Sequence, residues 1–208
     1  MIENIESIIF DYSGTLRDDL DWTFEITMRV FEKMGRGRIT LEEYQSEMCL
    51  PYMNFYRKYF PGVSQKEIDF LFLCGMQEVQ QSGCKLYRGV LKVLELLVRR
   101  SVKMVILSSC FHYELIREAE MLGLKKYFPW IFGSVHDKVA KMSCIIKMTG
   151  FNPVRTLVVG DMAHDIEAGK IIGAKTVALT WGYWTRERLE KECSPDYIVD
   201  SLPEILLL

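Results

Sequence analysis

The sequence has no apolar run near the ~20 residues that cross a bilayer, no block of basic residues, and no CxxC pair among its six cysteines. The first absence excludes a membrane-spanning helix. The second leaves a net charge of −2 at pH 7 with both signs interspersed, so the electrostatic footprint of a nucleic-acid binder is missing. The third removes the usual spacing of a zinc site or dithiol redox centre. Met1-Ile2-Glu3-Asn4 does not open a secretory signal. Scattered thiols without an export signal are expected to be reduced and unpaired, and Cys110 is expected to alkylate first because it follows a polar turn. There is no internal repeat and no low-complexity tract. What remains is a cytoplasmic globular protein of 208 residues, long enough to bury a sizeable core.

The pattern along the chain changes twice. Ser7-Ile8-Ile9-Phe10 is too short for a helix and reads as a buried strand that delivers Asp11 to its end. Helical signals then dominate residues 17–84. Trp22 to Met34 carries an apolar stripe that stops at Gly35-Arg36-Gly37. Thr40-Leu41-Glu42-Glu43 and Ser64-Gln65-Lys66-Glu67 fit capping boxes, the second opening a helix to about Gln81. From Tyr87 strands and helices alternate. Helices are expected from Val90 to Arg100, Tyr113 to Leu122, Lys138 to Met148 and Ala163 to Ile172. The strands between and after them are Val102 to Leu107, a short one at Phe132-Gly133-Ser134, Thr156 to Val159, Thr176 to Thr180 and Tyr197-Ile198-Val199. A last helix opens at Ser201. Alternation of this kind implies an α/β fold with a parallel sheet between two helical layers. Residues 1–16 and 85–208 would form this core, interrupted by a helical unit over 17–84.

Two further strand ends and one helix start carry polar groups. Leu107 is followed by Ser108-Ser109, hydroxyls at a strand-to-helix turn where anions are favoured, although a plain N-cap serine looks the same. Val159 is followed by Gly160-Asp161-Met162-Ala163-His164-Asp165. Two carboxylates four apart suit a hard cation such as magnesium, while helix capping accounts for one of them only. Lys138 opens a helix, where a cation opposes the dipole and therefore suggests a task.

Together these stretches resemble the haloacid dehalogenase superfamily, over essentially the whole chain. Asp11-Tyr12-Ser13-Gly14-Thr15 matches the DxDGT motif, Ser108 the second motif, Lys138 (with Lys141 as fallback) the third, and Gly160 to Asp165 the GDxxxD motif. Leu86-Tyr87-Arg88-Gly89-Val90 and Ile172-Gly173-Ala174-Lys175-Thr176 are similar to the phosphoglycolate-phosphatase branch, in which a helical cap lies between the first and second motifs. The resemblance implies a Rossmann-like core and a magnesium-dependent phosphatase of a small phosphorylated metabolite. Asp11 would be the nucleophile and Ser108, Ser109 and Lys138 would hold the phosphoryl group. Asp11, Asp161, Asp165 and the Ser13 main-chain carbonyl would surround the metal. Tyr52 and Arg57, with Met53 and Tyr56 nearby, are candidate substrate contacts in the cap, and the chain is expected to be a monomer or homodimer.

One position departs from the pattern. Ser13 stands where superfamily phosphatases carry the Asp that serves as general acid and base. A serine hydroxyl exchanges no proton near neutral pH, and losing such a group costs about 10²–10⁴ in rate. Slow hydrolysis of the aspartyl-phosphate is the expectation, softened if Asp18, Asp19 or His164 substitutes. A phosphotransferase, or a weak or inactive relative that binds a phosphorylated ligand or partner protein, is the alternative.

Overall fold

A computed structural model describes residues 5–79 and 84–208. Six strands form one all-parallel sheet: β1 (Ser7–Phe10), β2 (Lys103–Leu107), β3 (Trp130–Phe132), β4 (Thr156–Gly160), β5 (Lys175–Leu179) and β6 (Tyr197–Val199), in the order β3-β2-β1-β4-β5-β6. β1 lies at the centre, with Ile9 opposite Val105 on one side and Val158 on the other. Alternation along the strands sorts their side chains to two faces. Ile8, Phe10, Met104, Ile106, Leu157 and Val159 pack with Val93 and Leu97 of α5 (Val90–Arg99) and Leu115 of α6 (His112–Met121). Ile9, Val105, Leu107 and Val158 face Met142 and Ile145 of α7 (Lys138–Thr149) and Ala168 of α8 (Ala163–Ile171). Both faces are covered, which is why the central strands read as unbroken apolar runs.

The first four helices of the chain, given letters here, intervene between β1 and α5, the fifth: αA (Leu20–Lys33), αB (Leu41–Glu47), αC (Met53–Tyr59) and αD (Gln65–Glu78). Thr40 and Ser64 cap αB and αD as their sequences require, each accepting from the backbone N–H of the glutamate three residues on. Gly75 lets αD approach αA, since a Cβ there would lie 3.0 Å from Ile26. Phe31, Phe55, Tyr59 and Phe60 form the aromatic centre of the insert. The chain leaves and re-enters the core side by side: Asp18 N–H donates to Lys85 O and Tyr87 N–H to Leu16 O.

Several expected elements shift. αD ends at Glu78, and Gln81 lies outside the described residues. The strand expected at Phe132-Gly133-Ser134 runs instead over Trp130–Phe132, because Ser134 takes a left-handed turn (φ 57°). The last helix is a short 3₁₀ segment, Leu202–Leu206. One helix was not anticipated, Arg186–Glu192 (α9), whose only buried residue is Leu189.

Candidate active site

The polar strand ends converge at the C-terminal edge of the sheet, where open α/β sheets bind ligands. Asp11 stays tied to β4 through its N–H to Val159 O (2.9 Å), so its carboxylate projects from the sheet centre. Lys138, only 2% exposed, reaches across from the start of α7 and donates to Asp11 Oδ1 and Asp165 Oδ1, both at 2.6 Å. The position that looked unfavourable for the helix is thus offset by two carboxylates. Asp165 lies one turn into α8 and also accepts from Met162 N–H (3.3 Å). Asp161 accepts from Thr15 Oγ1 (2.9 Å) and Tyr183 N–H (2.6 Å).

Asp11, Asp161 and Asp165 each present an oxygen within 4.8 Å of the others, all buried. Burial pushes the Asp11 carboxyl up to about 7 even against the pull of Lys138, and burial together with Asp11 and Asp165 holds Asp161 well above the usual carboxylate range. Burial works against the Lys138 ammonium as well, but its two carboxylate partners outweigh it and keep the charge. Three carboxylates against one ammonium leave an excess that a divalent cation would balance, and an all-oxygen donor set fits a hard one.

The backbone is shaped around these groups. Gly14 adopts φ +75°, and a Cβ there would sit 2.4 Å from Asp161 Oδ2. A Cβ on Gly160 would lie 2.3 Å from Asp165, and one on Gly182 2.2 Å from Asp161.

Ser13 enters the site through its side chain. Its hydroxyl donates to Asp19 Oδ2 (2.6 Å) and lies 3.0 Å from the Tyr183 hydroxyl, which is left to act as donor to Ser13. Asp19 is 4% exposed, accepts from Gly14 N–H (2.9 Å) and pairs with Arg17 (3.2 Å). Burial raises its carboxyl to about 6, with Arg17 and Ser13 opposing. Arg17 also pairs with Glu118 (3.0 Å), which accepts from the Tyr12 hydroxyl (2.9 Å). Arg17, Glu118 and Tyr183 were not singled out from sequence. Glu118 lies within a helix and joins Tyr12 across 106 residues, while Tyr183 follows a strand in the aromatic stretch Trp181-Gly182-Tyr183-Trp184, which was the available signal.

Of the other substitutes considered for Ser13, Asp18 is paired with Lys85 near the surface. His164 Nε2 accepts from Lys138 N–H (2.9 Å), which needs the neutral ring, and burial lowers its pKa accordingly. Ser108 is fully buried and its hydroxyl accepts from Cys110 N–H, whereas Ser109 lines the cavity above Asp11. Lys141 is exposed and takes no part.

That cavity, of about 140 Å³, lies between the insert and the core. Tyr52 and Tyr56 line it, while Met53 and Arg57 do not; Arg57 is exposed on αC. All six cysteines are unpaired. Cys110 lines the cavity, and burial, reinforced by Asp19, pushes its thiol up to about 12, which works against the reactivity expected from its place after a polar turn. Cys144 is the exposed one.

Residues 8–179 match the family model described as haloacid dehalogenase-like hydrolase. The chain belongs to this family. It is 27% identical over 210 residues to a phosphoglycolate phosphatase of Synechococcus elongatus, covering 97% of this chain and 96% of that one. It is 24% identical over 215 residues to the pyrophosphatase PpaX of Oceanobacillus iheyensis (99% and 97% covered). A haloacid dehalogenase-like hydrolase from Streptococcus pneumoniae superposes with a TM-score of 0.83 at 20% identity, covering 99% of both chains. Among the described residues no helix is long and apolar enough to cross a membrane.

Proposed function

We propose that this family member is a magnesium-dependent phosphatase of a small phosphorylated metabolite, with Asp11 as nucleophile and residues 17–84 as the cap over its site. The observation that carries this reading is Lys138 Nζ at 2.6 Å from both Asp11 and Asp165, beside Asp161. A purely structural role does not call for three buried carboxylates on one sheet edge. The names of the relatives agree with phosphate chemistry.

An Asp11 oxygen attacks phosphorus, the bond from phosphorus to the ester oxygen breaks, and the leaving oxygen takes up a proton. Water then attacks the aspartyl-phosphate, gives up a proton, and frees phosphate and the Asp11 carboxylate. Lys138 and the turn at Ser108-Ser109 orient and balance the phosphoryl oxygens. Magnesium held by Asp11, Asp161 and Asp165 supplies charge neutralisation when bound.

The protons pass through Ser13 and Asp19. When Asp19 is protonated the bond reverses: Asp19 donates to Ser13 Oγ and gives it the proton while the Ser13 proton, turned away from Asp19, moves to the leaving oxygen. In the second step the direction reverses, and Asp19 takes up through Ser13 the proton that water releases. The 2.6 Å contact and the elevated pKa of Asp19 support this pairing as the substitute for the missing carboxylate at position 13. The test is phosphate release from a phosphomonoester panel with magnesium. Wild type is expected to turn over and Asp11→Asn to lose at least ~10³-fold; equal rates in the two would contradict the assignment of Asp11.

A further inference from the structure

Arg17 is the one Lys or Arg side chain in the cavity wall among the described residues, and Asp19 and Glu118 hold it at 3.2 and 3.0 Å. No cation there is free to receive a second anionic group of a substrate. The acidic residues of the wall are engaged as well. Asp69 accepts from the Tyr52 hydroxyl, and Glu114 pairs with Arg117. Much of the remaining wall is apolar, with Trp22, Leu50, Ile68, Phe72 and Met76 from the insert meeting Phe111 from the core, beside the hydroxyls of Thr23 and Ser109. Phe72 and Phe111 approach to 6.5 Å between ring centroids, joining the two sides. His136 Nδ1 is buried without a hydrogen-bond partner, and its ring stands edge-on to Tyr52 at 5.0 Å. It lies two residues before Lys138, where the apolar wall meets the phosphate end.

We infer that the preferred substrate is a phosphate monoester of an uncharged, apolar or aromatic alcohol, and that the cavity rejects substrates with a second anion, such as phosphoglycolate and pyrophosphate. The inference rests on the phosphatase reading for its reaction but on the cavity wall for its specificity. Bringing a carboxylate into this wall would remove it from water with no free lysine or arginine to balance its charge, whereas an aromatic ring gains by leaving water. Discrimination comes as much from the missing cation as from the apolar contacts.

Two measurements on the full chain with magnesium test this. The first is calorimetric binding of non-hydrolysable benzylphosphonate and phosphonoacetate. The second is kcat/KM for benzyl phosphate, phosphoethanolamine, phosphoglycolate and pyrophosphate. Benzylphosphonate should bind at least tenfold tighter than phosphonoacetate, with the same order in kcat/KM. Met76→Arg, or Phe72→Lys if the former does not fold, should narrow that gap by placing a cation in the wall. Equal or tighter binding of phosphonoacetate would overturn the inference, as would phosphoethanolamine matching benzyl phosphate. Selective benzylphosphonate binding without turnover of any ester would remove the phosphatase reading and leave the ligand class standing.

Discussion

Among single residues, the proposed proton route rests on Asp19, which Ser13 and Arg17 hold at 2.6 and 3.2 Å. Arg17 is 5% exposed between two carboxylates, and removing one partner of such a buried cluster typically costs 3–5 kcal/mol because a charge is left unpaired. Asp19→Asn keeps the shape and removes the proton exchange. It is expected to lower turnover by about 10²–10⁴ and, because Arg17 then keeps only Glu118 as a charged partner, to lower the melting temperature as well, so kcat is measured on protein that a melting curve shows to be folded. The pH dependence follows from the raised pKa of about 6. Asp19 acts as base in the second step when ionised, so kcat should fall as pH drops below about 6, and Asp19→Asn should lose that limb. A wild-type profile flat from pH 5 to 8 would exclude Asp19 from proton transfer. Asp11, Asp161, Asp165 and Lys138 were legible in the sequence because each ends a strand or opens a helix within a recognisable local pattern. The partners of Ser13 were less so. Asp19 was one of three nearby candidates, and Tyr183 meets Ser13 across 170 residues, a closeness that only the folded sheet creates.

Elements set how closely the backbone approaches these groups. The loop after β5 carries Gly182 against Asp161 and turns Tyr183 N–H onto the same carboxylate. Gly182→Ala would force a Cβ to 2.2 Å from Asp161, and overpacking of this kind typically costs about 1–3 kcal/mol. The expected outcome is a lower denaturation midpoint together with weaker magnesium binding. A stable variant with unchanged magnesium affinity would show that Asp161 has room to move. The same loop continues into Trp184, whose indole N–H donates to Met48 O (2.8 Å), while Arg188 of α9 stacks on Trp184 at 3.6 Å and bonds Gln45 O and Met48 O. The end of αB is thereby fastened to the core. α9 left no periodic trace in the sequence because a helix that buries only Leu189 shows no apolar stripe. The central strands, buried on both faces, were plain for the opposite reason.

For the molecule as a whole, a cation bound among the carboxylates at one sheet edge would add to stability. Ligand at about 100 times its dissociation constant contributes about 2.7 kcal/mol, or roughly 5–10 °C in a chain of this size. Magnesium is expected to raise the melting temperature by at least ~3 °C in wild type and not in Asp161→Asn, and chelation should abolish turnover. No shift in wild type at millimolar magnesium would count against the metal site. The covalent step on Asp11 is open to direct measurement. A phosphomonoester labelled in its phosphoryl group is mixed with enzyme and magnesium, quenched with acid within milliseconds, and the protein digested to locate the label. The proposed mechanism requires label on Asp11, released by mild alkali, absent from Asp11→Asn, and longer-lived in Asp19→Asn than in wild type. Full turnover with no label on Asp11 in either wild type or Asp19→Asn would contradict it.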